Sequence, residues 1–357
     1  MPGEVRRLIS ALALSAAALG CGARTSLTDS ALLVGGAGEG AGVAGANSGS
    51  AGSCGDPASS AAHCGACGRA CAGTCTGGRC LVTLARDQSN VGCLALDPNS
   101  VYWASAELPS TGIINRSSIS GGTFSSISMS SPAPWPCTMT VDDMFAYWAS
   151  GSLGVVQRAR VRGGVAQTLS TGLGAEFLAI DGQNVYFTGQ FAYPTKVALS
   201  GGAATRLADS LGAAGMAIDR HNLYWTLRDG ASTRGDVRQV SLSGGAVSTL
   251  AQGEGAPQGI AADDEAVYWA NNQSGEIRKF THVGGVVTTL AAGEFTPTVL
   301  AIDGTNVYFS ALGGLRKVAK SGGTAVTLAA SQAFDIKVDQ TSVYWTDGSA
   351  VLKLTPK

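Results

Sequence analysis

The chain has 357 residues, 50 of them glycine, with 14% charged residues and a formal net charge of −1. A balance this close to zero supplies neither the basic field that nucleic acid needs nor an acidic tail, so no nucleic-acid partner is expected. The length suits one large domain or two ordinary ones, and short Val/Ile/Leu/Thr runs broken by Gly-Gly, Asn and Asp read as all-β.

The first 21 residues read as an export signal. Arg6 and Arg7 precede an apolar run over 8–20 that ends in "ALGC" at 18–21. Thirteen residues are too few to span a bilayer but fit a signal-peptide core. A Cys directly after small residues resembles a bacterial lipobox. The resemblance implies diacylglycerol on the thiol of Cys21, which would hold the protein on a membrane surface, outer membrane or cell surface, without a spanning helix. The other reading is cleavage after the alanines at 16–18, with Cys21 left as a spare thiol. Nine cysteines less Cys21 leave eight, an even number suited to disulfides in an oxidising compartment.

Residues 22–53 are rich in Gly, Ala and Ser and hold nothing that can bury a core, so they read as a flexible tether. As a random coil it would span roughly 30 Å. Residues 54–80 then carry Cys54, Cys64, Cys67, Cys71, Cys75 and Cys80. "HCGACGRACAGTC" resembles the small Cys-rich modules that precede repeat domains in other exported bacterial proteins. Two readings are open. One is a metal knuckle built on Cys64, Cys67 and His63. The other is a disulfide-stapled knot in a segment with almost no apolar core, and export favours it, so no metal or cofactor is expected. Sequence does not choose the connectivity among six cysteines.

From 81 to 357 the chain repeats. "AIDGQNVYFT" at 179 returns as "AIDGTNVYFS" at 301, and an Asp followed five residues later by Tyr occurs seven times. The Asp residues are Asp97, Asp142, Asp181, Asp219, Asp263, Asp303 and Asp339, spaced 36 to 45 residues apart. A Gly-Gly pair follows every repeat tyrosine except the last. A period near forty is the size of one four-stranded propeller blade. In the sixth copy, strand A is "VLAID", strand B "NVYFS", strand C "LRKVA" and strand D "AVTLA". Adjacent strand residues face opposite sides, so each Tyr and the Trp or Phe after it can pack against the blades on either side. The last copy ends at strand C ("VLKLTPK"), while "GGRCLVTLARD" at 77–87 matches a turn plus strand D. The N-terminal strand is therefore expected to complete the C-terminal blade, giving an all-β, seven-bladed β-propeller.

"LYWTL" (223–227) and "VYWTD" (343–347) resemble the YWTD class of β-propeller repeat, similar copies of which occur in exported bacterial lipoproteins of unassigned function. The resemblance covers about 77–357 and implies a fold rather than an activity. The receptor-type YWTD propeller has six blades against seven here, so no functional residue is carried over by position.

Cys93 and Cys137 open strand A in the first two blades. A bridge between them would close a loop of about 45 residues, worth ~4 kcal/mol in the chain-entropy model; the alternative is two buried thiols. The histidines, His63, His221 and His282, lie outside the inner strands and apart in the repeat, which speaks against a histidine-based catalytic pair. The seven Asp residues are read as Asx-turn acceptors rather than a metal ring. Two residues before each repeat Asp stand Ala95, Thr140, Ala179, Ala217, Ala261, Ala301 and then Lys337, with Asp335 on the same strand face. That pair reads either as a ligand anchor at the central channel or as a wetted ion pair.

The A–B link is constant and the B–C link varies, so variable loops gather on the face shared by the B–C and D–A links. It carries "AELPSTG" (106–112), "GQFAYPT" (189–195), "LRDGASTRGD" (227–236), "GEG" (253–255) and "GEF" (293–295). Candidate contacts there are Tyr193, Arg228, Asp229 and Arg234. The function expected is non-catalytic binding of an unidentified protein or glycan of the cell envelope. The alternatives are a lyase- or lactonase-type enzyme with its site at the channel and a structural spacer.

Overall fold

The computed structural model describes residues 56–66, 69–107, 111–127, 138–151, 154–172, 174–228 and 233–357. The chain divides into two units, 1–49 and 50–357, and every described residue belongs to the second. The export signal, Cys21, the tether, Cys54, Cys67, Cys137 and Asp229 lie outside the described residues.

Seven antiparallel sheets follow one another along the chain, and they are the seven blades. Their inner strands, one per blade in order, are Leu94–Leu96, Thr138–Val141, Phe177–Ile180, Ala213–Ile218, Pro257–Ala262, Leu300–Ile302 and Asp335–Val338. Each contacts the next, and the last contacts the first, so the ring is closed. Closure comes from the N-terminal strand, as the truncated final repeat predicts. Arg79–Ala85 pairs antiparallel with Val351–Thr355, setting Cys80 opposite Thr355 and Val82 opposite Lys353. A further strand, Thr74–Thr76, pairs outside Arg79–Ala85 and makes this sheet five-stranded. The Cys-rich module is thus joined to the outer edge of blade seven. Two disulfides staple it, Cys64–Cys75 and Cys71–Cys80, the second fixing the head of the closing strand.

Strand B supplies the core. Each repeat Tyr shares a hydrophobic cluster with the Trp or Phe of the following blade: Tyr102 with Trp148, Tyr147 with Phe187, Tyr186 with Trp225, Tyr224 with Trp269. The series continues through Tyr268 with Phe309 and Tyr308 with Trp345. It returns to its start with Tyr344 and Trp103. Every blade junction therefore buries two aromatic side chains in one apolar cluster, removing a large apolar area from water.

The constant offset of five between Asp and Tyr has a physical cause. In all seven repeats one Asp oxygen accepts the two backbone N–H groups of the A–B turn, as the Asx reading expects, for instance from Gln183 and Asn184 at 2.7 Å each in Asp181. The other oxygen accepts the tyrosine hydroxyl, at 2.6 to 2.8 Å in six blades and 3.4 Å between Tyr268 and Asp263. This satisfies the buried hydroxyl and locks the turn to the strand that follows it. Burial, then the Asp hydrogen bond and charge, push Tyr102, Tyr147 and Tyr186 up to about 12.

A second device joins blades. Opposite each repeat Tyr on strand C stands a cation in six blades: Arg116, Arg158, Lys196, Lys279, Lys317 and Lys353. Five of these donate to the backbone carbonyl just after strand C of the next blade. Arg158 reaches Leu199, Lys196 reaches Leu242, Lys279 reaches Lys320, Lys317 reaches Lys357 and Lys353 reaches Ile119. In blade four the place is held by Gln239.

Candidate functional site

The B–C and D–A links lie together at one end of the ring. On that face the structure exposes Phe191 (74%), Phe295 (71%), Leu312 (58%), Leu211 and Phe334. Hydrogen bonds tie some of these links together. Leu312 N–H donates to the Phe295 carbonyl at 2.7 Å, and Gln332 Nε2 donates to the Ala311 carbonyl at 3.3 Å. Sequence reasoning picked these loops for their variable length and polar residues and passed over the Phe in "GQF" and "GEF". The missed signal was a bulky apolar residue inside an otherwise polar turn.

The polar candidates behave differently from one another. Arg228 ends Asn222–Arg228 opposite Gly235, and Arg234 immediately precedes Gly235–Ser241; both are exposed at the root of one loop, whose Asp229 is outside the described residues. Tyr193 is half-buried at the start of Ala192–Ala198, with the Arg206 guanidinium 3.1 Å from its ring centroid. Arg206 is paired in turn with Asp209. The glutamates of "GEG" and "GEF" turn inward. Glu254, 4% exposed, accepts from Trp269 Nε1 at 3.0 Å, Asn271 Nδ2 at 2.6 Å and Arg278 at 2.8 Å. Glu294 accepts from Arg316 at 2.5 Å, and burial holds its carboxyl above the usual range despite that charge. These are loop anchors, and spacing alone gives no hint of their direction.

At the channel, Asp335 and Lys337 form the expected pair, 2.6 Å apart. The same Asp oxygen takes the Ile336 N–H, and the other takes the N–H of Leu94 in blade one at 2.8 Å. The carboxylate is therefore spent on the closing junction, which favours the ion-pair reading. No other charged residue occurs in the seven inner strands. Among the described residues no three His, Cys, Asp or Glu side chains come together with metal-ligand spacing. Cys93 is buried at the mouth of blade one, and its expected partner Cys137 lies outside the described residues.

One expectation is corrected. His221 and His282, which the repeat separates, line the same hollow at the opposite end of the ring, because the A–B turn of blade four abuts the C–D turn of blade five.

No protein-family model and no curated protein sequence matches the chain. Solved structures do. A streptogramin B lyase is similar at 12% identity and a TM-score of 0.66, over 78% of this chain and 98% of that one. The WD40 β-propeller domain of Doa1 is similar at 11% identity and a TM-score of 0.59, over 77% of this chain and 96% of that one. A chain of a nidogen/laminin complex is similar at 20% identity and a TM-score of 0.50, over 64% of this chain and 93% of that one. At these identities the likeness is one of fold, and a fold shared by a lyase and by binding proteins does not choose between them.

Proposed function

We propose that the protein is an envelope-anchored, non-catalytic binding scaffold that works through the face built from its B–C and D–A links. The observation that carries this reading is that Phe191, Phe295 and Leu312 stand exposed among the links of variable length, whereas Met144, Val165 and Val283, exposed on the opposite face, stand in the short repeated turns. Bulky apolar side chains beside variable polar loops are the composition of an interaction surface. Arg228 and Arg234 add charge at one rim, where it would orient a partner more than hold it. The partner class is a protein or glycan of the cell envelope. A lipid on Cys21 would supply the anchor, and residues 22–53 the leash that holds the propeller clear of the headgroups. The two disulfides support an oxidising, exported setting. The strand-B sequences "LYWTL" and "VYWTD" support placing the repeats in the YWTD-like class.

A lyase- or lactonase-type site at the channel would need reactive groups converging from several inner strands. Asp335 and Lys337 are the charged pair there, and the carboxylate that pairs with Lys337 also accepts from Leu94 across the closing junction.

The test uses the oxidised chain as bait against solubilised envelope, beside a variant carrying Gly-Ser in place of 106–112, 189–195 and 227–236. A partner held by the first and lost by the second supports the binding face. Equal background from both removes the support for it and moves attention to the channel around Asp335 and Lys337.

A further inference from the structure

The hollow at the opposite end lies between blades four and five and has a volume of about 530 Å³. Asp219 lines it, bonded to the buried Tyr224 behind. Asp219 is nearly buried, with one oxygen taken by the N–H groups of His221 and Asn222 and the other accepting the Tyr224 hydroxyl at 2.6 Å.

At two of the other six junctions this place receives an ammonium, while at the remaining four the residue just past strand C is Ile119, Val161, Leu199 or Leu242. In blade five the matching oxygen of Asp263 holds the Lys320 ammonium at 2.5 Å, which also lies 5.0 Å from the Tyr268 ring centroid. In blade six Asp303 holds the Lys357 ammonium at 2.8 Å, 5.7 Å from the Tyr308 ring centroid. Each lysine comes from just past strand C of the following blade. At the four–five junction that position is His282. Its ring stacks on Tyr224 with centroids 5.8 Å apart, and its buried Nε2 stands 3.7 Å from Asp219 with no hydrogen-bond partner. The strand-C cation that would reach the His282 carbonyl is also absent, because Gln239 replaces it.

Neither place holds a lysine or arginine at this junction. The Asp219 carboxylate and the His282 ring both line the hollow, and among the described residues no ammonium of the chain reaches that carboxylate. Phe280 forms an apolar wall edge-on to His282, and the Arg220–Asp264 ion pair closes the rim. Two carboxylates, Asp219 and Asp264, stand against the single Arg220 guanidinium in the lining of the hollow, which favours a cation.

We propose that the hollow between blades four and five binds the ammonium group of an alkylamine, the group that blades five and six supply from their own chain. A free amine and a lysine side chain present the same chemistry. The experiment follows the ring signals of His282 and Tyr224 by NMR in the full chain. It titrates n-butylammonium, Nα-acetyl-lysine methylamide and the uncharged isostere n-pentanol. A saturable shift with n-butylammonium and none with n-pentanol is expected. A response to the lysine amide as well would identify a partner's lysine as an acceptable source, and its absence would restrict the site to free amines. His282→Lys should fill the hollow from within, as Lys320 does next door, and weaken binding at least about tenfold while the melting temperature stays the same or rises. Gln239→Lys should do the same from blade four, and it serves if His282→Lys fails to fold. Shifts that do not saturate, equal shifts with n-pentanol, or undiminished binding in either folded lysine variant would overturn the proposal.

Discussion

Lys353 donates its ammonium to the backbone carbonyl of Ile119 at 2.9 Å, across 234 residues of sequence. The same bond joins Lys317 to Lys357 and Lys279 to Lys320 between blades that are consecutive in the chain. The seam where the two ends of the propeller meet is therefore built like the ordinary junctions. It has the same latch, the same aromatic pair in Tyr344 and Trp103, and an added carboxylate bond from Asp335 to Leu94.

Lys353→Met should keep the apolar stem and lose the latch, leaving the Ile119 carbonyl without that donor. The expected loss is about 1–3 kcal/mol in urea unfolding. Lys317→Met should lose a similar amount. A much larger loss at Lys353 alone would mean that the seam is the weak point of the ring.

The repeat Asp and Tyr residues set both ends of the pH range. Burial alone would raise Asp181, Asp263, Asp303 and Asp339, but their hydrogen bonds, with Lys320 and Lys357 foremost for Asp263 and Asp303, hold all four below the usual 3.8. Stability from a lowered carboxyl is complete above its unfolded value and is lost as pH falls through the folded one. Glu176 and Glu294, raised by burial, act in the opposite sense, and the four Asp outnumber them. The melting temperature should therefore drop as pH goes below about 4. At the alkaline end the sign reverses. Tyr102, Tyr147 and Tyr186 rise from 10.0 to about 12, so their contribution is complete below pH 10 and is lost as pH climbs toward 12. Absorbance at the phenolate band should show these rings ionising together with loss of near-ultraviolet circular dichroism. Ionisation near pH 10 with the fold intact would contradict the Asp–Tyr pairing.

Gly259 lies on an inner strand where the backbone of the next blade approaches closely. Its N–H donates to the Thr298 carbonyl of blade six at 2.9 Å, and a Cβ built on it would collide with that carbonyl. Gly259→Ala should destabilise by about 1–3 kcal/mol through overpacking, measured by thermal melting. A neutral result would mean that the inner strands are looser than their hydrogen bonds imply.

The Cys71–Cys80 disulfide spans nine residues and holds the head of the closing strand. A Cys71→Ser, Cys80→Ser double variant should lose about 2–3 kcal/mol on the chain-entropy model. Because Cys80 pairs with Thr355, protection of the amides around 351–355 in hydrogen exchange should fall with it.

The ring was legible in the sequence because every blade repeats the same physical problem. A fixed Asp-to-Tyr offset, a Gly-Gly turn and a missing last strand leave one arrangement that closes the sheet edges. What lay beyond reach involves groups brought together only by folding, within a blade or between blades. The tyrosine hydroxyl finds its Asp, and Lys353 finds Ile119, only once strands A, B and C are folded against one another. Glu254 and Glu294 read as loop residues, yet they turn inward because an indole N–H or a guanidinium waits beneath each. His221 and His282 are 61 positions apart and meet across a blade junction that spacing alone does not reveal.

The measurement that most directly tests the binding face is site-specific photocrosslinking of the full chain in its own envelope. A benzophenone side chain would stand at 191 or 295 on the variable-loop face, or at 144 or 165 on the opposite face away from the hollow of His282, all four being exposed apolar positions. A propeller that works through its B–C and D–A links should give a discrete adduct from 191 or 295 and none from 144 or 165. Adducts that arise only from 144 or 165, or equally from all four, would contradict it.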